Sequence, residues 1–388
     1  MSPDLSTRVR DAIRRSGPIP FEQFMEASLY SDGGFFATGK GAGRSDRDFV
    51  TSPTTGSLFG LLVARAIDRE WEELGRPDPF VVIEVGAGDG RLCRDVLRSN
   101  PDCTPALRYV MVERSDELRR AQHATLTITD AAIALGPHAL DDEEGAALAV
   151  RESGPIVTQL PSLPAGAFAG VVIANELLDN LPFGVAEFDG HRWCEVRVGL
   201  DAADALCEML VPLDPDRLDL VADVGNGAVA GGTRVPIDRS LTAGLSTATR
   251  CLRRGAVILI DYMIPMAELI ERSPNWLRTY SEHRSGASYL TAPGACDITA
   301  DVPVEHLERA ARRCGWGVTA LSTQAAWLEA LGIEPLVDAA RTTWRERAHI
   351  GDLAAIAARS RVHEAEALCD PTGLGAFMVS RLQRDPLR

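Results

Sequence analysis

Residues 174–184 read ANELLDNLPFG and place Asn175, Glu176 and Asp179 within five residues, directly after the apolar run GVVI. Two kinds of role fit that spacing. Carboxylates three residues apart share a face if the segment is helical, and together they can accept a substrate's donors at two points. Alternatively, Asn175 is a good N-cap and Glu176 in a first turn complements the helix dipole with no substrate involved. A second group is Glu84-Val85-Gly86-Ala87-Gly88-Asp89-Gly90. Glycines there let the backbone turn sharply and approach a ligand with no Cβ in the way. Arg91 and Leu92 follow, so the run is not the dinucleotide fingerprint GxGxxG and suits a ligand without a pyrophosphate. A third is Glu113, followed by Arg114, placed where an acid accepts hydrogen bonds from ribose hydroxyls. Asp261 and Tyr262 end the later apolar run AVILIDY, and open α/β sites form at the carboxyl ends of strands. His283, in RTYSEHRSG, completes the set.

These residues need a scaffold, and the hydrophobic pattern supplies one. FVVIEVGAG (80–88), LRYVMVERS (107–115), PIVTQL, GVVIAN and AVILIDY are short continuous apolar runs that alternate with helical patterns. Such runs indicate a mostly parallel sheet covered on both faces, a Rossmann-like doubly wound α/β fold. GVTALST (317–323) and AFMVSRLQ (376–383) add two strands around an all-helical stretch at 325–369. Alternation in residues 185–200 predicts a β-hairpin around Asp189-Gly190. The expected organisation is an N-terminal helical and loop extension (1–79), a core (80–262) with the hairpin and an acidic excursion at 130–153, an irregular insertion (263–303), and the end of the core sheet (304–388).

Composition narrows the functional classes. The 388 residues carry 55 acidic and 40 basic side chains, a formal net charge of −15, which argues against affinity drawn from nucleic-acid phosphates. Eight scattered cysteines with no CxxC point to a reduced compartment, not to a disulfide scaffold or a zinc site. No run approaches the length of a membrane span, and the N-terminus lacks an apolar signal core. Asp4 and Asp11 are out of place in a mitochondrial presequence, so a cytoplasmic location is expected.

The glycine turn followed in order by a strand-end acid resembles the class I methyltransferases that use S-adenosyl-L-methionine (SAM). Longer stretches resemble one family in particular: GPIPFEQFMEASLY (17–30), GAGRSDRDFVTSP (41–53), IEVGAGDGRL (83–92), ANELLDNLPF (174–183), PGACDITADV (293–302) and TQAAWLEALGI (323–333). The chain is identified as a member of the MidA family of SAM-dependent methyltransferases, nearest to actinobacterial-type members; the family includes a mitochondrial arginine methyltransferase needed for complex I assembly. The resemblance implies SAM as cofactor and no metal. It places SAM against Glu84, Gly86, Ala87, Gly88, Asp89, Gly90, Glu113, Arg114 and Asn175, under a loop of Phe49, Val50, Thr51, Ser52 and Pro53. It also places the loop after the fourth strand beside the transferred methyl group. There Glu176 and Asp179, with Asn175, Asp261, Tyr262 and His283, would orient an arginine, whose guanidinium presents a planar fork of donors to a carboxylate. The implied acceptor is a protein or peptide, and a homodimer is compatible with the sequence. Asp89, Arg91, Thr54 and Met263 depart from the family pattern and leave room for two alternatives: a small-molecule or peptide acceptor of secondary metabolism, or a non-enzymatic assembly role.

Overall fold

The computed structural model describes residues 4–38, 51–136, 153–224, 229–237, 240–281, 284–286 and 288–384. The chain forms two compact units. One comprises Val50–Leu177, Ser246–Asp261 and Gly315–Arg388; the other comprises Met1–Phe49, Leu178–Leu245 and Tyr262–Cys314. This division cuts across the segments expected from the sequence. Residues 51–79 join the sheet unit because the apolar side of a long helix, with Leu58, Leu62, Val63 and Ile67 buried, packs on the sheet. The helix Val304–Arg313 joins the other unit.

The sheet unit is built on seven strands: β1 (Phe80–Val85), β2 (Leu107–Val112), β3 (Ile156–Leu160), β4 (Phe168–Asn175), β5 (Leu252–Asp261), β6 (Trp316–Thr323) and β7 (Met378–Arg384). Their spatial order is β3-β2-β1-β4-β5-β7-β6. The first five are parallel, and β7 runs antiparallel between β5 and β6. Strands buried on both faces read as unbroken apolar runs, which is why β1 and β2 stand out in the sequence. Gly170 is required where β4 meets β1, since a Cβ there would lie 1.8 Å from the Val81 carbonyl oxygen. Helices α1 (Ser52–Thr55), α2 (Ser57–Glu73) and α3 (Arg91–Arg98) precede and follow β1. Between β6 and β7 the expected helical stretch is present as α4 (Gln324–Ala330), α5 (Ile333–Arg347) and α6 (Leu353–Leu368). The strand order reverses between β1 and β4, and a crevice for a ligand forms outside the carboxyl ends of strands at such a switch point.

In the other unit, helices Leu5–Ser16 and Phe21–Tyr30 pack with a five-stranded antiparallel sheet that contains the expected hairpin. Asp189 Oδ1 caps its turn by accepting from the N–H groups of His191 and Arg192, each at 2.8 Å. The core gathers Phe21, Phe24, Met25, Phe183 and Trp276, with Phe183 and Trp276 ring centroids 5.9 Å apart. The segment 263–303, read from sequence as irregular, carries short strands: Leu277–Ser281 pairs with Asp297–Ala300 and Arg284–Ser285, and Met263–Ile264 pairs with Val302–Pro303. These strands are two to five residues long, too short for a periodic signal.

Candidate functional site

At the end of β1, Gly86, Gly88 and Gly90 have φ of 76°, 55° and 79°, backbone that side-chain-bearing residues rarely adopt. Gly86 and Ala87 donate to the Val112 carbonyl, which ties the turn to β2. Glu113 then bridges the two: Oε2 accepts from the Gly88 N–H at 3.0 Å and Oε1 from the Ser115 N–H at 2.8 Å. Gln122 Nε2 donates to the Gly88 carbonyl at 2.8 Å. Asp89 Oδ1 accepts from the Arg91 N–H at 3.1 Å and so stays with the turn. Arg114 is exposed, and its carbonyl accepts from Arg119.

Glu84 departs from the expected cofactor contact. It is buried, and Oε2 accepts from the Tyr109 hydroxyl at 2.8 Å across β1 and β2. Burial pushes its pKa up to about 8, the charges of Asp89 and Glu113 add to the rise, and the Tyr109 bond opposes it. Its part is to join the two strands beneath the turn, as a neutral acid at neutral pH.

The carboxyl end of β4 does not start a helix. Glu176 sits at φ 52°, its N–H still donates to the Ile260 carbonyl of β5, and only a single 3₁₀ turn, Leu178–Asn180, follows. Asn175 is therefore not an N-cap, and Glu176 and Asp179 do not share a helical face: the left-handed residue turns the chain before a helix can form. Instead, Glu176 Oε1 accepts from Asn175 Nδ2 and from the Ser52 N–H, each at 3.0 Å. Ser52 is the first residue of α1, which is capped reciprocally by Thr51 and Thr54 and has Pro53 in its first turn. The carboxylate thus meets the first N–H of this single helical turn. Asp261, fully buried, accepts from the Leu177 N–H at 3.0 Å and fixes the next residue along.

Asn175, Glu176, Asp261, Thr51 and Ser52 therefore meet at the ends of β4 and β5. Asp179 and Tyr262 belong to the other unit. Asp179 is buried there and accepts from the Thr299 hydroxyl at 2.5 Å. Burial raises its pKa to about 6 against that bond and the charge of Arg278. Asn180 adds bonds of 2.9 Å to Asp297 and 3.1 Å to the Ile298 carbonyl, so the pair pins its turn to one strand. The Tyr262 ring lies 5.5 Å from the Arg278 guanidinium. His283, Phe49, Val50 and residues 137–152 of the acidic excursion lie outside the described residues. Two residues escaped the sequence reading. Tyr109 is hidden in an apolar run, and Gln324 looks like an ordinary helix start after the good N-cap Thr323.

The donor set fits a zwitterionic nucleoside. The Asn175 Oδ1 atom is buried with no hydrogen-bond partner among the described residues, an acceptor suited to an ammonium group. Each Glu113 oxygen receives one backbone N–H, and a carboxylate oxygen has a second lone pair for a ribose hydroxyl.

The chain is similar to known proteins over most of its length. The family model for S-adenosyl-L-methionine-dependent methyltransferases matches residues 62–322. The chain is 30% identical over 315 residues to the mitochondrial protein arginine methyltransferase NDUFAF7 homolog of Drosophila melanogaster, covering 77% of this chain and 68% of that one. With mitochondrial NDUFAF7 of Rattus norvegicus it is 28% identical over 318 residues, again covering 77% and 68%. A crystal structure of a Burkholderia thailandensis protein bound to S-adenosyl-homocysteine superposes with a TM-score of 0.77 at 28% identity, covering 98% of this chain and 92% of that one. The curated relatives are mitochondrial by name, which overturns the cytoplasmic location expected from the N-terminal composition.

Proposed function

The chain belongs to the MidA family of SAM-dependent methyltransferases, and from that premise we propose that it methylates an arginine side chain of a protein acceptor, with Glu176 as the acceptor-facing carboxylate. The observation that carries the reading is Glu176 itself, held in a left-handed backbone at the end of β4 with its carboxylate fixed by Ser52 and Asn175. Two relatives named as protein arginine methyltransferases support the choice of acceptor.

SAM supplies a methyl carbon already activated by its sulfonium. The chain's task is then to bind, orient and exclude water. The glycine turn, Glu113 and Asn175 Oδ1 would hold the cofactor, Glu113 as an acceptor for ribose hydroxyls and Asn175 Oδ1 as an acceptor for its ammonium. A guanidinium stays protonated in isolation, so its reacting nitrogen must be turned away from the shared charge. A fixed carboxylate does this by accepting from the guanidinium and drawing positive charge toward the nitrogen it holds. Orientation of this kind contributes on the order of 7–11 kcal/mol in favourable cases. Asp261 keeps Leu177, and with it the Glu176 backbone, in place.

Proteins extracted from cells lacking the gene, incubated with SAM and purified enzyme, test the reading by mass spectrometry. Methylarginine should appear with the wild type. With Glu176→Gln it should fall on the order of 100-fold or more while S-adenosyl-homocysteine binding is kept. Absence of new methylarginine with the wild-type enzyme would sink the proposal.

A further inference from the structure

We infer that Gln324 is a positioning residue for Glu176, acting through Ser52; the inference rests on the reading of Glu176 given above. Gln324 and Ser52 are both fully buried. Glutamine is seldom buried completely, and a buried amide must have its donors and acceptor met. Gln324 Nε2 donates to the Leu368 carbonyl at 3.1 Å, and the Gln324 N–H donates to the Phe377 carbonyl at 2.6 Å. With its nitrogen committed to a carbonyl, the side chain can turn only its oxygen to Ser52. The Ser52 hydroxyl donates to that oxygen at 2.9 Å.

This leaves the Ser52 backbone N–H as the group that meets Glu176 Oε1, at 3.0 Å. Segments around 52, 176, 324 and 368, remote in sequence, are thereby joined by one line of hydrogen bonds that ends on the carboxylate. The left-handed backbone of Glu176 points the same way, because a non-glycine residue keeps such a conformation only where its surroundings over-determine it. The cap of α4 does not call for Gln324, because Thr323 already caps it through the Ala326 N–H. In Gln324→Leu the Ser52 hydroxyl loses its acceptor and turns toward Glu176, competing with the N–H that sets the carboxylate.

The Ser52 amide reports the link directly. In a nitrogen-15 TROSY pH titration it should follow the ionisation of Glu176 in the wild type, and Glu176→Gln should abolish that response. Gln324→Leu and Ser52→Ala should each cut the response at least by about half. Each should also slow methyl incorporation from labelled SAM into extracted proteins, on the order of 10- to 100-fold, with the KM for SAM within about twofold. Because both variants remove the same link, the double variant should lose no more than the worse single. Binding of S-adenosyl-homocysteine by calorimetry checks that each variant is folded, and Ser52→Ala decides the matter if Gln324→Leu is not. A wild-type response of the residue-52 amide in both single variants overturns the inference, and so do effects that multiply in the double. Full methyl incorporation by Glu176→Gln would instead remove the role given to Glu176, while the amide titration still reports whether Gln324 sets it.

Discussion

Replacing Glu84 with Gln should leave stability nearly unchanged at pH 5 and raise it at pH 8. Glu84 is 5% exposed, and its carboxyl accepts from the Tyr109 hydroxyl at 2.8 Å. Its pKa moves from 4.5 to about 8 on folding, chiefly by burial. Between those values the unfolded chain gives up the proton while the folded chain keeps it. The unfolded state then binds fewer protons, so stability falls as pH rises. Each pH unit is worth ~1.4 kcal/mol, so the whole interval amounts to on the order of 4–5 kcal/mol, absent below pH ~4.5 and fully expressed above ~8. Glutamine has the shape of the protonated acid, still accepts from Tyr109 and does not titrate. At pH 5 the two proteins should therefore agree within ~1 kcal/mol. At pH 8 the variant should be the more stable by several kcal/mol, which for a domain of ~150–250 residues is a melting-temperature gap of roughly 8 °C or more. Scanning calorimetry of both proteins at pH 5, 6, 7 and 8 is the assay. Melting temperatures that stay parallel across that range would refute the reasoning, because they would mean that Glu84 ionises in the folded state as readily as in water.

Two further substitutions separate strain from charge. Gly86→Ala places a Cβ 3.0 Å from Leu177 Cδ1 at φ 76°, so it should destabilise the turn by ~1–2 kcal/mol and weaken S-adenosyl-homocysteine binding; calorimetry showing unchanged affinity would count against the turn as the cofactor's seat. Asp179→Asn keeps an acceptor for Thr299 and removes a carboxyl whose pKa is raised from 3.8 to about 6 by burial. The raised value means that wild-type stability is lost as pH climbs from ~4 through ~6, so at pH 7 the Asn variant should gain up to ~3 kcal/mol. Asp179→Ala should instead lose ~1–3 kcal/mol, and urea unfolding that ranks Asn with Ala would show that Thr299 needs the charge.

The sheet was legible because its strands are buried on both faces: FVVIEV and LRYVMV have no polar alternation to confuse, and the glycines after β1 mark the turn that both folding and ligand approach demand. The helices between β6 and β7 were legible from length and period. The division into units was not. The chain passes from one unit to the other at Leu177–Leu178, in the middle of ANELLDNLPFG, with no glycine, proline or charge run at the crossing. The strands of 263–303 pair with one another, but at two to five residues each they are too short to leave a periodic pattern.

The site shows the same limit at the level of one residue. Propensity offered Asn175 as an N-cap and Glu176 as a first-turn acid beside the substrate-facing role, since both types favour those positions. The structure uses the same preference differently: Glu176 does meet a helix N-terminus, but it is that of α1, more than a hundred residues earlier in the chain. A carboxylate attracted to free N–H groups cannot announce from sequence which helix will supply them. What selects α1 is the parallel sheet, which carries Glu176 to the edge of β4, together with the left-handed turn that aims its side chain away from the residues that follow. Placing Glu176 on the acceptor side therefore depends less on the density of acids in the motif than on the strand end that fixes one of them. Asp179, in the same motif but across the unit boundary, is fixed by Thr299 instead, so two acids three residues apart are under separate control.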